Sequence, residues 1–278
     1  MNIIVCVKPV PDPEKYNLLT IDPNTKRLVR EGIPTIINPA DRNALETALN
    51  LREKHGGEIA VLSMSPLFSS DKITECLAMG ADKAFIVSDI AFGGADTYAT
   101  SYTLAKAIDK IKETTGFSPD LVLGGNDSAD GATSQVIPQL GEWIGLPHVS
   151  NITEISVSGD SEAQRDSVLL KKKTSEGFLE YEVSLPAVLS IARGSNKPRL
   201  VSAIGIVKAR NKKIEVFAKN DLDVEEGKIG LAGSPTKPGA LISPDMSRQA
   251  RGLAGEPDEI AGQILDIVRK AGVDCLKG

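Results

Sequence analysis

The sequence predicts an α/β protein: a parallel sheet with helices on both faces, an added β-meander and an extended C-terminal arm. Three observations carry this. Over residues 2–144, short apolar runs alternate with amphipathic stretches through short polar links, the pattern of a sheet covered on both faces. The apolar runs are nearly uninterrupted, as in strands buried on both sides. After Pro147 the alternation stops and β-like runs follow one another. The expected division is an α/β domain over 1–221 and a C-terminal arm with its helix over 222–278.

The first strand is read at 2–7, Asn-Ile-Ile-Val-Cys-Val. Asn38-Pro39 opens a helix, with Asn38 as cap and Pro39 at the first helical position. Ala44, Leu45, Ala48, Leu49 and Leu51 are its apolar side, and Gly56-Gly57 stops it. Glu58–Met64 is the next strand, Ser70–Met79 a helix ended by Gly80, and Lys83–Val87 a strand. Asp96–Thr115 is a helix ended by Gly116, and Leu121-Val122-Leu123 is a strand entering Gly124-Gly125. Gly131–Ile144 is expected to be helical, with a bend at Pro138. Val168–Lys173, Phe178–Ser184 and Ala187–Ala192 form the expected meander, with Ser175-Glu176-Gly177 as a turn. Residues 222–257 are rich in Gly and Pro without a period, and loops that long are usually functional or lie on a partner. Pro257–Ala271 is an amphipathic helix through Ile260, Ile264, Ile267 and Val268; it either meets a partner subunit or folds back.

Composition narrows the chemistry. The 32 basic and 37 acidic residues give a net charge of −5, a poor footprint for nucleic acid. No run reaches the ~18 apolar residues of a membrane span, and the start reads as a folded strand, not a signal peptide. Cys6, Cys76 and Cys275 show neither a disulfide framework nor metal-ligand spacing, which points to a reducing, cytoplasmic compartment. With only His55 and His148, a zinc site or hydrolytic triad is poorly supplied, so a bound cofactor is expected to carry the chemistry.

In an open parallel sheet, ligands bind at the carboxyl ends of the strands. Those tips are Cys6-Val7-Lys8-Pro9, Ser63-Met64-Ser65-Pro66 and Gly124-Gly125-Asn126. The third continues as Asp127-Ser128-Ala129-Asp130-Gly131-Ala132-Thr133-Ser134-Gln135-Val136. Its glycines allow close approach of a phosphate, and its hydroxyls and the following helix N-terminus can donate to one. Asp130 suits a ribose hydroxyl. A capped strand-to-helix loop would show the same composition, and both readings stand at this point. Phe92-Gly93-Gly94-Ala95-Asp96-Thr97 is a second polar turn, in which Asp96 caps the next helix. The basic cluster Lys208, Arg210, Lys212 and Lys213 reads as a solvated face.

The chain resembles the β (small) subunit of the electron-transferring flavoproteins over nearly its whole length. The resemblance rests on an ordered set: Val7-Lys8, Asn38-Pro39-Ala40-Asp41 before Glu46-Thr47-Ala48, Leu77-Ala78-Met79-Gly80-Ala81-Asp82, the Gly125–Val136 loop, and Lys197-Pro198-Arg199 through Ile206-Val207-Lys208-Ala209. It implies a flavodoxin-like, adenine-nucleotide-binding fold and an obligate heterodimer with an α subunit that carries a mobile FAD. The implied cofactor residues are Cys6, Asn38, Pro39, Asp41, Met64 and Gly125 to Val136. Housekeeping members hold structural AMP there. Electron-bifurcating members from anaerobes hold a second FAD beside an NADH site. Val7-Lys8-Pro9-Val10-Pro11-Asp12 is similar to the bifurcating pattern, as is the turn with Gly93, Gly94, Asp96 and Thr97 as NADH residues. Gly131 and Ala132 stand where housekeeping members place acids, whereas Pro9 and Ile137 depart from the commonest bifurcating pattern.

The reading implied is a subunit that binds FAD and takes hydride from NADH. It would split the electrons between a low-potential acceptor, ferredoxin or flavodoxin, and the α-subunit FAD. The latter leads to an acyl-CoA or hydroxyacid dehydrogenase. The alternatives are a one-FAD carrier with structural AMP, or a nucleotide-binding regulatory module without redox role. Residues 197–208 resemble the family's recognition loop, with Ala203, Ile204 and Ile206 as partner-binding residues; an inner strand is the competing reading of that segment.

Overall fold

A computed structural model describes the protein except at residues 19, 22–27, 30–32, 159–165, 238, 240–249, 251 and 271–278. The chain divides into two units, Met1–Ala240 and Leu241–Gly278. The first contains β1 (Ile3–Cys6), β2 (Pro9–Pro11), β3 (Thr20–Ile21), β4 (Leu28–Val29), β5 (Thr35–Ile37), α1 (Pro39–His55), β6 (Ile59–Met64), α2 (Ser70–Met79) and β7 (Lys83–Val87). It continues with α3 (Thr97–Thr115), β8 (Leu121–Gly125), α4 (Val136–Ile144), β9 (His148–Val157), β10 (Ser167–Lys173), β11 (Phe178–Ser184), β12 (Ala187–Ile191), α5 (Ala203–Arg210) and β13 (Ile214–Phe217). The second contains α6 (Pro257–Lys270). It starts where the sequence predicts; the expected last residue, Ala271, and Cys275 lie outside the described residues.

One nine-stranded sheet runs β11-β10-β9-β12-β8-β1-β6-β7-β13. From β9 to β13 every neighbour pair is parallel, while β10 is antiparallel to both β9 and β11. β1 sits at the centre of the parallel run, with Ile3 opposite both Ile59 and Leu121. Alternate residues of each strand serve opposite faces. Ile3 and Val5 pack with Ala44, Leu45, Leu49, Ile73 and Leu77 of α1 and α2. Ile4 and Cys6 pack with Leu104, Ile108, Ile137 and Leu140 of α3 and α4. Each such fully buried aliphatic side chain contributes roughly 1.5–3 kcal/mol, which holds the strand tips in fixed register.

The structure corrects several expectations. The meander is β9-β10-β11, and β12 is instead a parallel strand inserted between β8 and β9. Its run Ala187–Ile191 is buried throughout, as a two-sided strand should be. β9 escapes notice because His148–Val157 is broken by polar residues and mostly only half-buried. The helix expected from Gly131 starts at Val136, because Ala132 and Ser134 adopt left-handed backbone (φ 49° and 55°). Residues 197–208 are neither a plain loop nor an inner strand: they lead into α5, and the basic cluster straddles the end of that helix and the approach to β13. Beyond the expected boundary at 221, Leu222 and Ile229 are buried in the core beneath α3.

The segment between β12 and α5 is fastened to α1. Arg199 donates through Nε and Nη2 to the two oxygens of Glu46 (2.9 and 3.0 Å) and through Nη1 to Glu53 (2.6 Å). Glu46 is buried, so this paired geometry satisfies a carboxylate that could not otherwise leave water. Asn43 and Asn196 exchange further bonds next to it.

Candidate functional site: a cleft at the carboxyl ends of the strands

From β1 the chain moves to β6 and β7 on one side and later returns to β8 on the other. The carboxyl ends of β1 and β8 therefore flank the point where strand order reverses, the usual ligand crevice of such sheets. A cleft of about 380 Å³ opens there. Its walls come from the β1 tip (Cys6, Val7, Lys8), Met64 at the end of β6, Gly125 and the loop after β8, and the N-termini of α3 and α4.

Asp41, in the first turn of α1, staples the two flanking tips. Its Oδ2 accepts from the Lys8 amide (2.7 Å) and its Oδ1 from the Gly125 amide (2.9 Å). Burial pushes this carboxyl up to about 7, against the opposing pull of those amides, of Asn38 and of the Lys8 charge. The neighbouring glycines serve the same junction. A Cβ at Gly125 would lie 2.4 Å from Asp41 Oδ1 and 2.7 Å from Ala40, and one at Gly124 would lie 2.3 Å from Ile137 Cδ1. The glycine pair therefore admits α1 and α4 against the strand end, in addition to any ligand.

The loop from 126 to 135 is held from three sides. Asn38 does not cap α1 through its side chain; its Nδ2 donates to the Asp127 carbonyl (2.7 Å) and its Oδ1 accepts from the Ala129 amide (3.1 Å). Asn126 Oδ1 accepts from Ser190 Oγ of β12 (3.0 Å). Lys8 Nζ pairs with Asp130 Oδ1 at 2.7 Å. Burial opposes ionisation of Asp130, yet Lys8 and Ser128 hold its carboxyl below the usual range. Left-handed Ala132 and Ser134 turn the chain into α4, whose first amides receive no side-chain cap. Uncapped amides beside Ser128, Thr133 and Ser134 form a donor set suited to a phosphate.

The turn before α3 differs. Asp96 Oδ1 caps the helix by accepting from Ala99 N (3.0 Å). Its Oδ2 accepts from the amide (2.8 Å) and the hydroxyl of Thr236, and its own amide donates to Ser234 Oγ (2.8 Å). Burial works against this carboxylate, but the Thr236, Ala99 and Tyr98 donors hold it ionised below its ordinary range. Across the cleft, Thr97 Oγ1 donates to Gln135 Oε1 (3.0 Å).

The structure thus brings Cys6, Asp41, Met64, Gly125 to Ser128, Gly131 and Thr133 to Val136 into one cavity with Gly94, Asp96 and Thr97. Asn38, Pro39, Gly93, Asp130 and Ala132 do not line it; Asn38 and Asp130 brace the loop from behind. Sequence reasoning missed the apolar wall: Leu62 and Leu104 read as ordinary core, and Phe92 and Ile137 only as positions in their motifs. Lys8 had a signal, its place directly after the first strand tip. Ala203, Ile204 and Ile206 lie on α5 outside the cleft, with Ile204 69% exposed beside exposed Leu200 and Val207. Among the described residues no cluster of His, Cys, Asp or Glu is placed to hold a metal, and no helix is long and apolar enough to cross a membrane.

Comparison with known proteins identifies a family. Residues 25–222 match the electron transfer flavoprotein domain. The chain is 40% identical over 267 residues to the electron transfer flavoprotein subunit beta of Thermoanaerobacterium thermosaccharolyticum, covering 96% of this chain and 97% of that one. It is 38% identical over 272 residues to the caffeyl-CoA reductase-Etf complex subunit CarD of Acetobacterium woodii, covering 97% and 98%. Against the protein FixA of Azorhizobium caulinodans the identity is 37% over 240 residues, covering 85% and 82%.

Proposed function

This chain belongs to the electron transfer flavoprotein family, among its β subunits, and on that premise we propose that it is the NADH-oxidising, FAD-holding subunit of an electron-bifurcating pair. The observation that carries the reading is the single cleft shared by the 125–136 loop and the 93–97 turn, the two segments expected to hold FAD and NADH.

The residues fit a flavin nucleotide. The uncapped α4 N-terminus with Ser128, Thr133 and Ser134 would hold its phosphates. Cys6, Leu62, Met64, Phe92, Leu104 and Ile137 form a wall against which a flat ring can rest out of water. When bound, FAD supplies acceptance of two electrons from a nicotinamide and their release one at a time. The chain supplies position and exclusion of solvent: Asp41 fixes the spacing of the β1 and β8 tips, and Lys8, paired with Asp130, anchors the loop. No side chain is assigned as acid or base.

The partners proposed are the family's α subunit, met by the C-terminal arm; ferredoxin or flavodoxin; and an acyl-CoA or hydroxyacid dehydrogenase met through the exposed side of α5. Cofactor extraction from the αβ complex tests the reading. Two FAD per pair are expected, and one FAD with one AMP would overturn it. That second outcome is the one-FAD carrier with structural AMP. It is favoured by one observation: both carboxylate oxygens of Asp96 are already engaged within the protein.

A further inference from the structure

The stretch 229–236 lies in the Gly- and Pro-rich tract for which no element is expected, yet it is tied to the cleft wall at every turn. Ile229 is buried in the core, and the Leu231 amide donates to the Gly93 carbonyl (3.0 Å). Gly230 is left-handed (φ 57°), and a Cβ there would lie 2.1 Å from the Ala91 carbonyl oxygen, so only glycine lets the segment lie this close. Ser234 is buried; its hydroxyl donates to the Gly230 carbonyl (2.7 Å) and accepts from the Asp96 amide (2.8 Å). Thr236 closes the contact with two donors on Asp96 Oδ2.

One carboxylate is therefore shared between this segment and the first turn of α3. The next residue, Thr97, carries the connection across the cleft mouth to Gln135, immediately before α4. Thr236, Asp96, Thr97 and Gln135 form a continuous path from the segment to the far lip. The segment itself touches neither Gln135 nor α4 through any of these bonds.

We propose that Ser234 and Thr236 are positioning residues that set the width of the cleft mouth through Asp96 and the Thr97–Gln135 bond, and so govern how firmly a nucleotide is retained. The proposal rests on reading the cleft as a nucleotide site. With the segment fastened, both lips are held; with it released, the cap of α3 loosens, the cross-lip bond loses its fixed donor, and the mouth widens.

The test uses the full chain in complex with its α subunit. Thr236→Val removes one donor at nearly constant shape, Thr236→Ser restores it, and Thr97→Val cuts the path between the lips. Amide hydrogen exchange is followed at Asp96–Thr100 and at Val136, Ile137 and Gln139, together with the release rate of FAD and of AMP on dilution. Loss of a hydrogen bond to a charged group predicts about tenfold faster exchange at both lips, and comparably faster nucleotide release, in Thr236→Val. The Ser variant should behave as the parent, and in a Thr97→Val background Thr236→Val should add nothing at Val136–Gln139. Faster exchange confined to 229–236 and the α3 cap, with release unchanged, would overturn the proposal, as would equal behaviour of the Ser and Val variants. A parent complex with no adenine nucleotide in this cleft would sink the functional reading instead, and exchange at the far lip would still decide the coupling.

Discussion

Replacing Asp41 by Asn should flatten the pH dependence of stability between pH 5 and 7. The folded state raises this carboxyl from 3.8 to about 7, chiefly by burial. Between those values the folded chain keeps a proton that the unfolded chain has released. The stabilisation is therefore complete below about pH 4 and is lost as pH rises through 7. A difference of about three pKa units, at 1.36 kcal/mol each, amounts to on the order of 4 kcal/mol, of which roughly 2–3 kcal/mol falls between pH 5 and 7. The carboxylates held below their ordinary range, among them Asp96 and Asp130, work in the opposite sense, and their contribution is lost only in more acidic solution. The difference between parent and variant over pH 5 to 7 therefore reads Asp41, every other titrating group being common to both chains. Asn keeps one acceptor for the Lys8 or Gly125 amide and turns a donor toward the other. The variant should therefore be less stable than the parent at pH 5 by about 1–3 kcal/mol, with the gap closing toward pH 8. Urea unfolding followed by circular dichroism at fixed protein concentration measures both curves. Parallel curves from pH 5 to 8 would refute the assignment of this titration to Asp41.

Gly125→Ala places a methyl group against Ala40 and Asp41, partly against backbone that cannot give way; about 1–3 kcal/mol of stability and most of the bound nucleotide should be lost, read by urea midpoint and cofactor extraction. Arg199→Lys keeps the charge but not the planar fork that holds both oxygens of Glu46, so stability should fall by about 1–3 kcal/mol, read as a lower urea midpoint with an unchanged slope. Ile204→Asp changes an exposed side chain and should leave folding and NADH-dependent flavin reduction intact while abolishing electron transfer to the dehydrogenase; transfer at the parent rate would remove Ile204 from the docking surface.

The parallel centre of the sheet is legible because β1, β6, β7 and β8 are buried on both faces and so have almost no polar interruption. Their helices declare themselves through periodic apolar residues and glycine stops. β9 and α5 are not legible for the opposite reason. β9 is mostly half-buried with a single fully buried residue, and α5 turns Ile204, Ile206 and Val207 outward, so the apolar residues of neither mark a buried face. The cleft follows the same rule. Its loops stand out by composition, but Ser234 and Thr236 meet Asp96 across 138 and 140 positions, and nothing local in a Gly- and Pro-rich tract announces such a partner. Asn38 looked like an ordinary cap because it precedes a helix; only the folded chain shows that its side chain is spent on the loop at 127–129.

The far edge of the sheet has a consequence for synthesis of the chain. β7 ends at Val87, but the strand that covers it, β13, ends at Phe217 and pairs Ile214 with Ala84. A ribosome adding about 5–20 residues per second needs roughly 7–26 s to make the stretch between them. During that interval Ala84-Phe85-Ile86-Val87 presents an open, apolar edge able to pair with a neighbouring chain. Conditions that slow elongation between residues 87 and 217 should therefore raise the aggregated fraction of newly made chains, and a chaperone that covers β7 during that time should lower it.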